Sequence, residues 1–137
     1  MCSNIENLNM LIIKKAANRN KELGYDITPV QALIIMCVFD NNKLCQKDIE
    51  QFVPCNKSTL SSVLDTMEKN GLIYRLEDKN DSRKKIISLT EKSISIAKVL
   101  TKDKNYLEDI LLKDLTQDEI IQFNNIVAKM IKNLERI

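Results

Sequence analysis

The chain has 137 residues, a formal net charge of +2, and 44% hydrophobic against 29% charged residues. This size and composition fit one folded domain and exclude wholesale disorder. Apolar runs near the start, such as Met10 to Ile13, are far too short to span a membrane, and no signal-peptide cleavage pattern follows them. We therefore expect a cytoplasmic protein without a membrane partner.

The small net charge is unevenly distributed along the chain. Residues 1–54 carry six cations and six anions, residues 86–137 carry eight of each, and residues 55–85 carry seven cations against five anions. All of the excess positive charge thus lies in the middle segment. A cationic surface confined to one segment is a possible footprint for a polyanion, although a solvated face has the same composition.

Two helices are predicted at the start. Apolar residues at helical spacing predict a first helix over residues 5–23, which Gly24 ends. Thr28 and Gln31 form a capping box with Pro29 between them, so a second helix begins there and runs to about Phe39. Its body, ALIIMCVF, is apolar on nearly every side, which predicts a central buried helix.

The next two helices have the spacing of a helix-turn-helix. A short helix is predicted over Gln46–Phe52, and Pro54 prevents its continuation. Asn56 can cap a further helix that ends at Gly71, the recognition helix of such a motif. Its apolar stripe, which we expect to be core, consists of Leu60, Val63, Leu64 and Met67.

A two-stranded hairpin follows. After Gly71 the period becomes strand-like, and Lys84–Leu89 resembles a returning strand, so Arg75 to Leu89 is predicted to form a wing with an exposed tip. Thr90 can cap a long helix to about Asp114, and the capping box from Thr116 to Glu119 opens a last helix.

These elements predict a mainly α protein with a small β wing. The expected divisions are an N-terminal helix at 1–27, a winged helix-turn-helix DNA-binding domain at 28–92 and C-terminal helices at 93–137. A recognition helix fits the major groove, and an arginine at a wing tip can enter a narrow A·T-rich minor groove. Arg83 is the candidate for that role. Lys84 and Lys85 are expected to serve phosphates and, as strand neighbours, to point to opposite faces.

Nearly the whole chain resembles the MarR (multiple antibiotic resistance regulator) family of bacterial transcription factors, and the resemblance is strongest from Cys45 to Ser93. The wing pattern Asp81-x-Arg83, followed by Leu89-Thr90, carries the most specific part of this resemblance. It implies that Arg83 is the minor-groove residue and that Asp81 holds its guanidinium through a charge-assisted bond. The start of the recognition helix is where the family contacts DNA, which implies contacts from Lys57, Ser58, Thr59, Ser61 and Ser62.

The sequence departs from the family pattern at four positions. Many members carry arginine where this chain has Ser62 and Thr66, so we expect weaker phosphate anchoring by its recognition helix. Cys45 stands where a capping threonine or serine is common, and Pro54 stands where the turn often has glycine. These two differences leave the geometry of the turn open.

The resemblance implies a homodimer that forms through an N-terminal dimerisation helix at 1–27 and C-terminal dimerisation helices at 93–137, and that binds a pseudo-palindromic operator. It also implies a repressor that a small aromatic or phenolic effector releases. The broad apolar faces of the terminal helices independently favour a dimer, because a lone protomer would leave them in water. Two other interpretations remain open. One is a redox-sensing regulator of the same fold that uses Cys2 or Cys45, and the other is a winged helix that binds protein.

An enzyme is not expected. The chain contains no histidine, the commonest general base and a usual metal ligand, and it has no phosphate-binding loop or nucleophile elbow. The four cysteines, at positions 2, 37, 45 and 55, lack paired metal spacing and are expected to stay reduced. We therefore predict no metal, no cofactor and no catalytic residue.

Overall fold

The structure is a computed structural model that describes residues 2–137, with side chains from Ser3 onward. The described chain contains nine elements of secondary structure. In order they are α1 (Cys2–Glu22), α2 (Pro29–Asp40), β1 (Leu44–Cys45), α3 (Gln46–Ile49), α4 (Lys57–Lys69), β2 (Ile73–Glu77), β3 (Lys85–Leu89), α5 (Glu91–Leu112) and α6 (Gln117–Glu135).

The predicted signals at the first two helices are confirmed. Gly24 has a φ of +76°, the left-handed conformation that ends α1. The capping box of α2 is present, with the Thr28 hydroxyl accepting from the Gln31 N–H at 3.2 Å and the Gln31 side chain accepting from the Thr28 N–H at 3.0 Å.

Burial of α2 is less complete than its composition predicts. Ile34 and Ile35 are fully buried, but Leu33 and Phe39 are 41% and 38% exposed in the single chain. A helix with apolar residues all round can be covered on every side only when neighbours surround it, and in this chain part of its circumference faces outward.

The helix-turn-helix has a shorter first helix than predicted. α3 ends at Ile49, and the chain continues to Phe52 through turns in which the Gln51 and Phe52 N–H groups donate to carbonyls three residues earlier. Val53 is buried directly before Pro54, so the chain must leave the helical path to reach the core. Asn56 caps α4 as predicted, accepting from the Thr59 N–H at 2.8 Å.

The wing is part of a three-stranded antiparallel sheet with the order β1-β3-β2. The predicted hairpin of β2 and β3 is confirmed, with Arg75 opposite Ile87. β1, which pairs Leu44 with Ile87, was not predicted, because two residues are too few to show a period. On β2 the side chain of Ile73 is buried whereas Tyr74 and Leu76 are exposed, so one face of this edge strand is open.

The hydrophobic core lies between α2, the helix-turn-helix, the sheet and the first part of α5. At its edge Thr90 accepts from the Ser93 N–H at 3.3 Å, which confirms the predicted cap of α5, and donates to the Gly71 carbonyl at 2.8 Å. The buried Ser93 hydroxyl donates to the Leu72 carbonyl at 2.6 Å. The start of α5 is therefore attached to the segment that links α4 to the wing.

The chain divides into two compact units, one that ends at Lys104 and one from Asn105 to Ile137. In the second unit Thr116 and Glu119 form the predicted capping box of α6. The boundaries predicted at residues 27 and 92 stay predictions. No helix in the described part of the chain combines the length and hydropathy that crossing a bilayer requires.

Candidate nucleic-acid interface

The exposed face of α4 carries the polar residues that the sequence singled out. Lys57, Ser58, Thr59 and Ser62 are exposed and Ser61 is half-buried. On the opposite side Leu60, Leu64 and Met67 are fully buried in the core, with Val63 packed against it. The helix is thus anchored in the core, and its first part presents short hydroxyl side chains and Lys57 to solvent.

The tip of the wing is built from two turns in which an aspartate accepts a backbone bond. Asp78 accepts from the Asn80 N–H at 2.9 Å, and Asp81 accepts from the Arg83 N–H at 3.0 Å. The hairpin is closed below by the Asp78 N–H, which donates to the Lys84 carbonyl at 3.0 Å. Residues 81–85 are all exposed.

The prediction that Asp81 bonds to the guanidinium of Arg83 is wrong. Among the described residues Asp81 is paired with the backbone N–H of Arg83, and the ion pairs do not include the Arg83 side chain. An aspartate readily accepts from the N–H two residues on, whereas reaching a guanidinium would require ordering a long exposed side chain. Asp81 therefore shapes the turn and leaves the Arg83 guanidinium free for another partner.

A cleft of about 820 Å³ brings the recognition helix and the wing together. Its lining contains six cations and one anion, and it also includes Ser61. The cations are Lys47, Lys57, Arg75, Arg83, Lys84 and Lys85, and the anion is Glu50. Such a concentration of one sign of charge in a concave surface attracts a polyanion.

Lys84 and Lys85 both border this cleft, although they were expected to point to opposite faces. Lys84 precedes β3 and lies in the turn, so the alternation of a strand does not apply to the pair. Lys47 and Arg75 were not among the predicted site residues. The sequence carried no signal for Arg75, because the apolar residues that alternate with it, Tyr74 and Leu76, are the exposed ones, and Arg75 lies on the same face of β2 as the buried Ile73.

Arg75 connects β2 to α4 through two ion pairs. Its Nη1 lies 2.6 Å from Glu68 Oε2, and its Nη2 lies 2.9 Å from Asp65 Oδ1. The arginine side chain is 18% exposed, whereas those of Asp65 and Glu68 are 65% and 42% exposed. The guanidinium is thus enclosed between the strand and the helix.

Cys45 occupies the position before α3 and is bonded to Asp48. The Cys45 N–H donates to Asp48 Oδ2 at 2.9 Å, and its Sγ lies 3.1 Å from the same oxygen. These bonds from the Cys45 N–H and thiol, with a smaller contribution from Lys84 and Lys47, lower the pKa of Asp48 below its ordinary value. The aspartate therefore performs at this turn the role expected of a capping residue.

The cysteines do not form a metal site in the described chain, where no cluster of three or more potential ligands occurs. Cys37, Cys45 and Cys55 are free thiols. Burial, the larger cause, and the charge of Asp40 raise the pKa of Cys37. The side chain of Cys2, one of the two redox candidates, lies outside the described residues.

Comparison with known proteins places the chain among transcription factors. The MarR family model matches residues 27–85. The HTH-type transcriptional regulator SarZ of Staphylococcus haemolyticus is 30% identical over 123 residues, which cover 89% of this chain and 80% of SarZ. A Staphylococcus aureus SarZ is 31% identical over 120 residues, covering 86% and 80% of the two chains.

Solved structures agree with this assignment. The S. aureus MepR–DNA complex has a TM-score of 0.84 and 26% identity, and 96% of each chain is covered. A putative MarR family regulator from Listeria monocytogenes, complexed with 26mer DNA, has a TM-score of 0.86 over 98% of this chain and 88% of its own, and at 22% identity it shows the fold alone. With a winged helix-turn-helix, the match to the family model and a SarZ relative that covers most of the chain, this protein belongs to the MarR family of DNA-binding transcriptional regulators.

Proposed function

We propose that the protein is a homodimeric cytoplasmic repressor that binds an A·T-rich, pseudo-palindromic operator and is released by a small effector. The observation that carries this proposal is the cleft in which Lys57 and Ser61 of α4 meet the cationic wing tip. The MepR structure with DNA supports it, because MepR shares the fold at 26% identity over 96% of both chains.

In this proposal the two elements read different parts of the duplex. The exposed start of α4 lies in the major groove, where Lys57, Ser58, Thr59, Ser61 and Ser62 contact base edges and phosphates. The Arg83 guanidinium enters the minor groove, and Lys84 and Lys85 contact phosphates beside it. Asp81 contributes through the backbone bond that shapes the tip. Lys47, which borders the same cleft, is added as a phosphate contact.

Dimerisation is supported by apolar side chains that the single chain leaves in water. On α1, Met10 and Leu11 are 64% and 57% exposed, and on α6, Phe123 and Leu134 are 54% and 70% exposed. Exposed apolar surface of this kind marks an interface. A two-fold dimer would present its recognition helices about 34 Å apart, one turn of DNA, or at a multiple of that distance.

The test is selection of bound sequences from a random duplex library, followed by binding of the selected duplex at several salt concentrations. We expect an inverted repeat with A·T-rich steps at the wing positions, and an affinity that falls steeply with salt. A Lys92→Ala variant serves as the control, because Lys92 is exposed on α5 and does not border the cleft. Recovery of unrelated sequences at every salt concentration would instead favour a winged helix that binds protein.

The effector is tested separately by titrating a panel of aromatic carboxylates and phenols into the complex with the selected duplex. A releasing effector must bind the DNA-free state more tightly, and by linkage DNA must weaken effector binding by the same factor. Calorimetry on the free protein and on the complex measures both factors. Equal effector affinity in the two states would contradict ligand-induced release.

A further inference from the structure

Arg75 holds two carboxylates of the recognition helix at once. Asp65 and Glu68 are three residues apart on α4, so they lie side by side on one face of the helix. Each accepts a bond from a different terminal nitrogen of the Arg75 guanidinium, at 2.9 Å and 2.6 Å. The arginine itself is fixed by β2, whose ladder places it opposite the buried Ile87.

This arrangement restricts how α4 can turn relative to the wing. A single ion pair allows a helix to rotate about its own axis while the pair stays intact, but two bonds to a planar, rigid fork define one rotational setting. A lysine could not reproduce it, since one ammonium is a point charge on a flexible stem. Because both carboxylates are substantially exposed, the pairs contribute little to the free energy of unfolding. Orientation is therefore their main effect.

Arg75 also offsets one of the two negative charges that acidic residues give the recognition helix. Asp65 and Glu68 are the two acids between Lys57 and Lys69, and both side chains reach solvent. Without a cation beside them they would repel a phosphate backbone that approached α4. Arg75 borders the cationic cleft, so it compensates half of this charge at the surface where DNA is expected.

We propose that Arg75 is a positioning residue for DNA recognition, which sets α4 against the wing so that both can occupy their grooves together. The inference rests on the proposed function, because positioning matters only if α4 and the wing contact one duplex. It concerns a residue that acts through Asp65 and Glu68 rather than by touching a base. Its signature is therefore loss of discrimination between sequences, beyond loss of affinity.

The experiment compares the wild type with R75Q, R75K and the triple variant D65N/E68Q/R75Q. Each is titrated with the duplex selected from the random library and with a scrambled duplex of the same composition. The triple variant removes both acids together with the arginine, so it abolishes the uncompensated negative charge without restoring the fork. The three positions then carry no net charge, whereas two carboxylates and one guanidinium give −1 in the wild type and the two carboxylates alone give −2 in R75Q. Thermal unfolding of every variant is followed by circular dichroism.

For R75Q we expect about a tenfold loss of affinity for the selected duplex. The ratio of the affinity for the selected duplex to the affinity for the scrambled duplex should fall by a similar factor. The triple variant should regain affinity for the scrambled duplex while its ratio stays low, and R75K should recover only part of the ratio. The melting temperature should move by no more than about 3 °C.

Three results would overturn the proposal. They are an unchanged ratio in R75Q, a ratio restored in the triple variant, and a large fall in melting temperature in both R75Q and R75K. The second would show that Arg75 acts through charge alone, and the third that it mainly maintains the fold. If the wild type itself prefers no sequence, the proposed function fails and this inference fails with it. Wild-type discrimination that R75Q retains removes only the role of Arg75.

Discussion

The recognition helix and the wing tip border the same cleft but are constructed in different ways. α4 is anchored by three fully buried side chains and has one lysine in its first turn. The tip has no buried side chain between residues 81 and 85, is shaped by backbone bonds to Asp78 and Asp81, and carries Arg83, Lys84 and Lys85. The helix supplies a fixed surface and the tip supplies charge, so changes in each should affect different measurements.

The largest effect on stability is expected from the buried side of α4. Leu64→Ala removes a fully buried side chain and should lower the free energy of unfolding by about 2–5 kcal/mol. Urea unfolding measures this loss. Ser62→Ala is the matched control on the exposed side of the same helix and should change stability by less than about 0.5 kcal/mol. Equal losses in the two variants would contradict the division of α4 into a core face and a solvent face.

The largest effect on binding without a change in stability is expected at the tip. Arg83→Ala should weaken binding of the selected duplex by about 1–3 kcal/mol, because Arg83 is exposed and its guanidinium is not used within the described chain. The loss should be greatest for duplexes with A·T pairs at the wing positions. Fluorescence anisotropy measures it, with Lys92→Ala as the control. An unchanged affinity would remove the wing from the mechanism.

Adding a positive charge to α4 is expected to strengthen its contact with DNA phosphates. Ser62 is exposed where many family members carry arginine, so Ser62→Arg should provide α4 with a phosphate contact that it lacks. The slope of the logarithm of affinity against the logarithm of salt concentration should steepen by about 0.9. Anisotropy titrations between low and moderate salt measure this slope. Thr59→Arg tests the same effect nearer the start of the helix. If neither variant changes the slope, α4 does not lie near the phosphates.

The sequence predicted the parts of the structure that local signals determine. The caps at Thr28, Asn56 and Thr116 are each recognised within four residues, and the structure confirms all three. What it did not predict depends on packing between different elements of secondary structure. The bonds from Arg75 to Asp65 and Glu68 connect residues ten and seven positions apart in different elements. The Asp81 contact was predicted incorrectly because a resemblance identifies a pair of residues without deciding which atoms meet.

The smallest effect is expected at the turn before α3, where Asp48 accepts from Cys45. Because the folded-state pKa of Asp48 is lowered, its stabilisation is present above the ordinary aspartate pKa of about 3.9 and is lost as pH falls through the lower folded value. Asp48→Ala should cost about 1 kcal/mol or less near neutral pH, and the part of this cost that depends on the carboxylate charge should disappear once wild-type Asp48 is protonated. Urea unfolding of both proteins from pH 7 down to the acid limit measures this convergence. A difference that persisted undiminished in acid would mean that Asp48 stabilises the turn without using its charge.

Since Lys84 of the wing contributes to lowering this pKa, the same titration with Lys84→Ala shows whether wing and turn are electrostatically coupled.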